Sequence, residues 1–238
     1  MRINWNYIKA VMLVGLTLFL FSFAKNRNEA RKITEVKLYF TNSENLYVTE
    51  EAVNKLLIQN EVKVQGIGKE TLDLNRVESV LDSHAMIENA EVYMAIDGTL
   101  GATITQRRPL ARVLDKSSYY IDRKGLKMPL SAYYSARVPL VTGVSEDQLE
   151  EVYPLVERVK EDAFLAQHIT AIHRDAAGFY ELELRELEFA LFLGKLNELE
   201  KKFNNFKAFY QKAMKDKKLN TYSKVDLQFG DQVVCTKK

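Results

Sequence analysis

The chain has 238 residues, of which 47% are apolar and 28% are charged, and its formal net charge is +2. The first 32 residues carry a balance of +5, which leaves −3 for residues 33–238, so the main body gives no reason to expect nucleic-acid binding. A single cysteine, Cys235, excludes an internal disulfide framework, and the apolar content without any biased tract predicts a folded body.

The longest uncharged apolar stretch lies near the N-terminus, within residues 7–24. As a helix, a segment of that length spans roughly 27 Å, close to the hydrocarbon thickness of a bilayer. Basic residues before it and a possible cleavage site at Ser22-Phe23-Ala24 would also suit a cleaved signal peptide. Trp5 and Tyr7 instead suit the interfacial belt of a retained anchor. We favour the anchor, and predict a tail over 1–6, a transmembrane helix over 7–24 and a polar linker over 25–32.

The charges around this segment bear on its orientation. Two basic residues precede it and four follow it before residue 33. The positive-inside rule, taken literally, would therefore place the C-terminal side in the cytoplasm.

The next 75 or so residues show the pattern of a small α+β domain. The predicted elements are, in order, a strand over 36–40, a turn over 42–45, a helix after the N-cap Thr49, a loop over 66–68, a helix after the N-cap Asn75, and strands over 92–96 and 100–104. We expect both helices to cover one face of a three-stranded sheet.

The second half is richer in strands and predicts a mixed α+β domain. The expected strands cover 111–114, 119–121, 138–142, 169–172, 179–184, 189–193, 225–229 and 232–236. Ser145 and Gln148 form a capping box for one helix, in which Pro154 is expected to produce a kink or a break. Apolar residues from Leu196 to Tyr210 are spaced for one face of a second, longer helix.

The chain shows no constellation typical of an enzyme. His168 and His173 are expected on opposite faces of a strand, and His84 stands alone, so the histidines do not predict a metal site. Residues 66–71 do not match a phosphate-binding loop, because the first glycine of that motif would stand at position 63, which is Lys63, and no Ser or Thr directly follows Lys69. Residues 143–145 lack the closing glycine of a nucleophile elbow. We predict a non-enzymatic protein without a cofactor or a small-molecule substrate.

Several motifs, in this order along the chain, resemble the FtsQ/DivIB family of bacterial cell division proteins. The matching segments are Leu72-Asp73-Leu74 with the apolar residues after it, Gly98-Thr99-Leu100, Gln106-Arg107-Arg108-Pro109-Leu110-Ala111, Tyr119-Tyr120-Ile121-Asp122 with Gly125, and Val225-Asp226-Leu227-Gln228-Phe229. The resemblance covers nearly the whole chain. It implies a POTRA-like domain over 33–106, with β-α-α-β-β order, and an FtsQ-type β domain over 107–238.

The resemblance also implies a function and a location. Such a protein is a divisome scaffold that recruits and holds the single-pass partners FtsB and FtsL at the septum, and its POTRA-like domain contacts other division proteins. It is a single-pass type II protein of the bacterial inner membrane, with its N-terminus in the cytoplasm and its bulk in the periplasm. The alternative is a POTRA-containing factor for protein export or envelope assembly. That class normally has tandem repeats or a long β-barrel, and neither pattern occurs in this sequence.

Two places depend on the family resemblance for their interpretation. Arg107, Pro109 and Ala111 match the junction between the domains, where Pro109 is expected to keep the chain extended as it enters the second domain. Gln106 stands where the family usually has Glu, a replacement that matters little if its side chain is a solvated strand residue.

The last strand, 232–236, is the expected partner-binding site. It is predicted to form a tight hairpin with 225–229 through Gly230 and to lie at a sheet edge, with Lys237 and Lys238 limiting unwanted pairing. The family docks FtsB by strand addition here. The side chains expected to shape specificity are those of Phe229, Val233, Val234, Cys235 and Thr236.

Overall fold

A computed structural model describes residues 5–29, 32–33, 35–41, 47–59, 68, 72–230 and 232–238. The predicted turn over 42–45, most of the loop over 66–68, and Asp231 lie outside these residues. The contacts between residues divide the chain into two units, 1–106 and 107–238, and each is described by itself below. The predicted class is confirmed: an N-terminal apolar helix precedes a POTRA-like domain and a mixed sheet domain with helices.

The first element is helix α1, Trp5–Glu29. Its segment Tyr7–Arg27 is long and apolar enough to cross a membrane, and none of that segment is buried in the protein. The helix continues past the predicted end at residue 24, so residues 25–29 are helical rather than part of an extended linker. Nothing in their sequence, KNRNE, would stop a helix, because it contains neither proline nor glycine.

The remainder of the first unit is a small sheet with two helices. Its elements are β1 (Glu35–Phe40), α2 (Glu50–Gln59), α3 (Leu74–Asp82), β2 (Ile87–Met94) and β3 (Thr99–Gln106). The central strand is β3, which runs parallel to β1 and antiparallel to β2. Apolar residues of both helices and of β3 are buried, and they include Val53, Leu57, Val77, Leu81, Leu100 and Ile104. This confirms the predicted β-α-α-β-β order.

One local prediction in this unit is wrong, and the condition stated for Gln106 is not met. The residue that caps α3 is Asp73 rather than Asn75, because its carboxylate accepts hydrogen bonds from the backbone N–H groups of Asn75 and Arg76. The Gln106 side chain is not solvated but only 3% exposed. Its Oε1 accepts hydrogen bonds from the backbone N–H groups of Tyr47 and Val48, at 3.1 and 3.0 Å, and this pairing accounts for the burial.

The second unit contains a long mixed sheet. Its strands are β4 (Pro109–Leu114), β5 (Ser118–Asp122), β6 (Lys127–Met128), β7 (Leu140–Thr142), β8 (Ile169–Arg174), β9 (Tyr180–Leu184), β10 (Ala190–Gly194), β11 (Tyr222–Asp226) and β12 (Val234–Lys237). In the part of the chain that the structure describes, they are ordered β12-β11-β10-β9-β8-β7-β4-β5-β6.

Three α-helices of this unit contribute to its core: α4 (Leu149–Glu161), α5 (Ala163–His168) and α6 (Leu199–Lys215). Apolar residues from α4 and α6 share one buried cluster with residues from β8 to β11, including Val152, Leu155, Phe203, Phe206, Ile172, Leu182, Leu191 and Val225. The apolar stripes recognised in the sequence are therefore the buried faces of these helices.

Of the two outcomes predicted at Pro154, a kink or a break, the break does not occur. The capping box of Ser145 and Gln148 is present, as predicted, and opens a short 3-10 turn before α4. Pro154 does not divide α4, which runs unbroken from Leu149 to Glu161. Because Pro154 is near the start of the helix, the carbonyl that loses its partner is that of the exposed Glu150 in the first turn. The helix instead ends before Asp162, whose carboxylate caps α5.

Candidate functional site

Strand β12 lies at one edge of the sheet in the second unit. It pairs with β11 in antiparallel orientation, with Val225 opposite Cys235 and Asp226 opposite Val234. No other described strand pairs with β12, so one side of it is an open edge. Such an edge presents backbone donors and acceptors to which another chain can bind.

The backbone direction along β12 shows which groups the open edge presents. The N–H of Lys238 donates to the carbonyl of Thr221, on the side of β11. Because backbone groups alternate along a strand, the amides of Thr236 and Val234 also point toward β11, and those of Lys237 and Cys235 point toward the open edge. A partner strand would therefore pair with Cys235 and Lys237.

The five predicted partner-binding side chains do not share one environment. Phe229 and Val234 are 48% and 42% exposed, and Thr236 is also exposed. Val233 and Cys235 instead pack against the core of the unit. Burial raises the pKa of the Cys235 thiol, in keeping with a small apolar role. The structure thus leaves Phe229, Val234 and Thr236 as the accessible members of the set.

The predicted tight hairpin before β12 is wrong. Strand β11 ends at Asp226 and β12 begins at Val234, so residues 227–233 form the connection between them. Leu227 is drawn away from β12, because its N–H donates to the carbonyl of Phe192 and its side chain is buried. Asn205 on α6 donates from Nδ2 to the carbonyl of Gly230 at 3.1 Å. These contacts hold the connection against the body of the unit.

A buried lysine organises the neighbouring loop. Lys202, on α6, is 3% exposed, and its Nζ donates to the carbonyl oxygens of Leu193 and Lys195 and to Oδ1 of Asn197. Burial lowers the pKa of this ammonium group. The three acceptors belong to the end of β10 and to the loop before α6. The same loop meets the connection at Gly194, where a Cβ atom would lie 2.7 Å from the Gln228 side chain.

Charged residues line the far end of β12. Lys238 forms an ion pair with Glu188 at 2.5 Å, and Lys224 on β11 pairs with Asp226 at 3.3 Å. The Nζ of Lys224 also lies 4.2 Å from the centre of the Phe192 ring. The edge therefore ends among cations, which is a common protection of exposed strands.

The three predicted junction residues lie at the start of the second unit. Pro109 and Ala111 are buried in β4, where Pro109 is opposite Asp122 on β5. Arg107 precedes the strand, and its guanidinium lies 3.4 Å from the Asp122 carboxylate. The backbone of Arg123 donates to the carbonyl of Arg108 at 3.1 Å. This segment is thus tied to the turn after β5.

Comparison with known families accounts for both units. The family model described as FtsQ/DivIB, C-terminal related, matches residues 108–236, and the POTRA-like domain model matches residues 31–105. The chain belongs to the FtsQ/DivIB family. No curated protein matches the chain. FtsQ/DivIB proteins are non-enzymatic division scaffolds, so membership gives this chain a role in cell division and in protein–protein contacts at a membrane, with α1 as a single-pass anchor.

Within the described ranges, the histidines are engaged locally. The Nδ1 of His173 lies 2.8 Å from the Thr142 hydroxyl, and the Nδ1 of His168 lies 2.8 Å from the carbonyl of Phe164. Among the described residues, no group of three or more His, Cys, Asp or Glu side chains is placed to hold a metal ion. Sequence reasoning missed Lys202 and helix α5. Lys202 lies among other lysines of an amphipathic helix, and no pattern distinguishes a buried lysine from its exposed neighbours.

Proposed function

We propose that this FtsQ/DivIB-family protein is a scaffold of the bacterial divisome that holds FtsB-type and FtsL-type partners at the septum. The observation that carries the proposal is the open edge of β12, in a domain that matches the family. The partner would add a strand along β12, with affinity from backbone hydrogen bonds and specificity from adjacent side chains. No step in this function requires catalysis, a cofactor or a small-molecule substrate.

The side chains assigned to recognition follow from their exposure. Phe229, Val234 and Thr236 are accessible and would contact the partner. Val233 and Cys235 would not contact the partner directly, because their side chains pack against the core and hold the strand in place. The POTRA-like unit would contact other division proteins, and Arg107, Pro109 and Ala111 would form the segment that enters the second unit.

A pair of substitutions at Lys237 tests strand addition. Lys237→Pro removes an N–H that points to the open edge, whereas Lys237→Ala changes the side chain and keeps that donor. We expect the full-length protein in detergent to bind its purified FtsB-type partner about tenfold more weakly with proline, since one lost hydrogen bond and a steric clash amount to about 1.4 kcal/mol. Alanine should bind nearly as the unmodified protein does.

The position of the proline matters for the test. At Val234 a proline would remove an amide that points toward β11, so it would disturb the sheet as well as the interface. Equal unfolding temperatures for Lys237→Pro and Lys237→Ala establish that the fold is intact. If the two folded variants bind the partner equally, strand addition at β12 is refuted.

We further propose that the N-terminus is cytoplasmic and that residues 33–238 are periplasmic. This orientation follows the family rather than the charges that flank α1. Single cysteines introduced at exposed positions such as Tyr133 in a Cys235→Ala background should react with a membrane-impermeant maleimide in spheroplasts. Labelling only after lysis would place the body in the cytoplasm and refute the proposed orientation.

A further inference from the structure

A cleft of about 400 Å³ lies in the second unit, and no residue of β12 lines it. Its volume is within the range of sites that bind ligands or single side chains. Residues from three parts of the chain line it: the end of α5, the connection between β9 and β10, and the end of α6 with the residues after it. The lining side chains that matter here are His168, Arg185, Leu187, Tyr210, Met214 and Lys217.

The sheet topology places this cleft near the end of β12. Strand β9 is antiparallel to β10, β10 is parallel to β11, and β11 is antiparallel to β12. These directions bring four strand termini to the same end of the sheet: the end of β9, the starts of β10 and β11, and the end of β12. Glu188 follows the cleft residue Leu187 and pairs with Lys238, immediately after β12. A segment that passes the end of β12 is thus near the cleft.

His168 is held in a defined orientation. Its ring centre lies 4.2 Å from that of Phe164 and 5.0 Å from that of Tyr210. Its Nδ1 is 2.8 Å from the Phe164 carbonyl, which can only accept, so Nδ1 carries the hydrogen. The ring nitrogen left for a ligand is Nε2. Because aromatic rings flank the imidazole, its orientation is already fixed before a ligand binds.

Positive charge in the cleft comes from two separate elements. Arg185 donates from Nε to the carbonyl of Gln167 at 3.1 Å, which fixes its guanidinium beside His168. Lys217 follows α6 and has a left-handed backbone, with φ of 56°. Glu186 is the acidic residue among those that line the cleft, so the cations outnumber the acids there.

The dipole of α6 does not account for the positive charge of the cleft. Lys212 and Lys215 are the basic residues in the last turn of α6, where they interact favourably with the helix C-terminus, but neither lines the cleft. Arg185 belongs to the connection between β9 and β10, so the dipole of α6 does not account for it. Apolar groups adjoin these cations, because Met214 is 55% exposed and Leu187 and Tyr210 also line the cleft. The combination fits a carboxylate with a large apolar group beside it.

We propose that the cleft binds an acidic peptide segment of a protein partner, with a Glu or Asp carboxylate on Arg185 and Lys217 and a neighbouring apolar side chain on Met214 and Leu187. Arg185 can form paired hydrogen bonds with a carboxylate, which a lysine cannot do. The site is distinct from strand addition at β12, and its position beside the end of that strand favours a polypeptide as the occupant. Binding here would extend the contact of an added segment or act independently of it.

Two short peptides and two pairs of variants test the proposal. The probes are fluorescent, terminally blocked Glu-Phe-Glu-Leu-Glu and its uncharged counterpart Gln-Phe-Gln-Leu-Gln. Binding is measured by anisotropy on the full-length protein in detergent, for the unmodified chain and for Arg185→Gln with Lys217→Gln. The matched control is Arg123→Gln with Lys124→Gln, two exposed cations in the turn after β5.

We expect the acidic probe to bind at least about tenfold more tightly than the amide probe, since at least one charge-assisted contact is lost with the amides. Arg185→Gln with Lys217→Gln should abolish that preference, and the control pair should retain it. Equal binding of both probes, or equal effects of both variant pairs, would overturn the proposal.

Two further measurements separate this site from its alternatives. If Lys237→Pro weakens binding of the acidic probe and the cleft variants do not, the peptide binds the β12 edge. In that case the cleft proposal fails while strand addition stands. Dihexanoyl phosphatidylglycerol, a soluble anionic lipid, serves as a third probe. If it binds with dependence on Arg185 and Lys217 and the acidic peptide does not, the cleft takes a lipid headgroup and the peptide assignment is wrong.

Discussion

Arg107 and Asp122 meet at the start of the second unit, with Nη1 of the guanidinium 3.4 Å from Oδ2 of the carboxylate. The Asp122 side chain is only 3% exposed, and its Oδ1 accepts hydrogen bonds from the backbone N–H groups of Lys124 and Leu126 at 2.8 and 2.9 Å. Arg107 also donates to the carbonyl of Lys127. One carboxylate therefore connects Arg107, two residues before the start of β4, to the turn between β5 and β6.

Removing the charge of Asp122 should destabilise this unit. Asp122→Asn keeps an oxygen for the turn but loses the pairing with Arg107, so we expect the free energy of unfolding to fall by about 1–3 kcal/mol. Arg107→Met should cost less, because Arg107 is more exposed and its stem is retained. A double-mutant cycle by urea unfolding measures the coupling. A coupling energy near zero would show that the pair contributes nothing.

The side-chain oxygen of Gln106 should be essential to the stability of the first unit. Gln106→Leu leaves the N–H groups of Tyr47 and Val48 without their acceptor, so we expect a loss of about 2 kcal/mol or more. Gln106→Glu keeps an acceptor for both amides. Its Nε2 is buried and has no hydrogen-bond partner among the described residues, so losing that donor costs little. Thermal unfolding should rank the Glu variant well above the Leu variant, and the reverse order would contradict this role.

Asp162 should make the stability of the second unit depend on acid pH. Burial alone would raise the pKa of its carboxyl, but the hydrogen bond from Lys207 and those from the N–H groups of Leu165 and Phe164 outweigh burial and lower the pKa below its ordinary 3.8. A lowered pKa means that the folded state holds the charged form. The stabilisation is therefore present above pH 3.8 and is lost as the pH falls through the folded-state pKa.

The matching variant is Asp162→Asn, which keeps an N-cap oxygen for α5 and cannot pair with Lys207 as an anion. We expect it to be less stable than the unmodified protein by about 1–2 kcal/mol near neutral pH. The difference should shrink as the pH falls below the ordinary carboxyl range. Urea unfolding at a series of pH values measures it, and a difference that is constant across the series would refute the assignment.

The buried Lys202 should stabilise the end of β10 and the loop before α6 through its hydrogen bonds. Lys202→Met retains the apolar stem and removes the three hydrogen bonds, of which the one to the Leu193 carbonyl is buried. Part of that loss is offset because the charge no longer has to be desolvated, so we expect a net cost of about 1–2 kcal/mol. Lys212→Met, at an exposed position of the same helix, should change stability by less than about 0.5 kcal/mol.

The same pair of variants should differ in partner binding. Because Lys202 orders the loop that meets the 227–233 connection, Lys202→Met should weaken capture of the FtsB-type partner even at temperatures where the protein is fully folded. Lys212→Met should bind normally. Normal binding by folded Lys202→Met would show that the edge does not depend on this lysine.

The sequence by itself determined those features of the protein that depend on local chemistry. The uncharged residues after Lys9 must form a helix if they enter a bilayer, because their backbone groups have no other hydrogen-bonding partners there. The order of apolar stripes and alternating strands predicts the β-α-α-β-β unit and the mixed sheet domain. The capping box at Ser145 and Gln148 is likewise a local interaction, and it is present in the structure. Such features are recognisable because the residues involved are neighbours in the chain.

Only the tertiary structure decided features that join distant parts of the chain. Gln106 is buried because the amides of Tyr47 and Val48, almost sixty residues earlier, require its oxygen. The connection after β11 is long rather than tight because Phe192 and Asn205 bind its backbone. The cationic cleft exists because the topology brings Arg185 and Lys217 to the same end of the sheet. No local pattern encodes these pairings, because the hydrogen-bonding partner of each group is specified by the fold and not by its sequence neighbours.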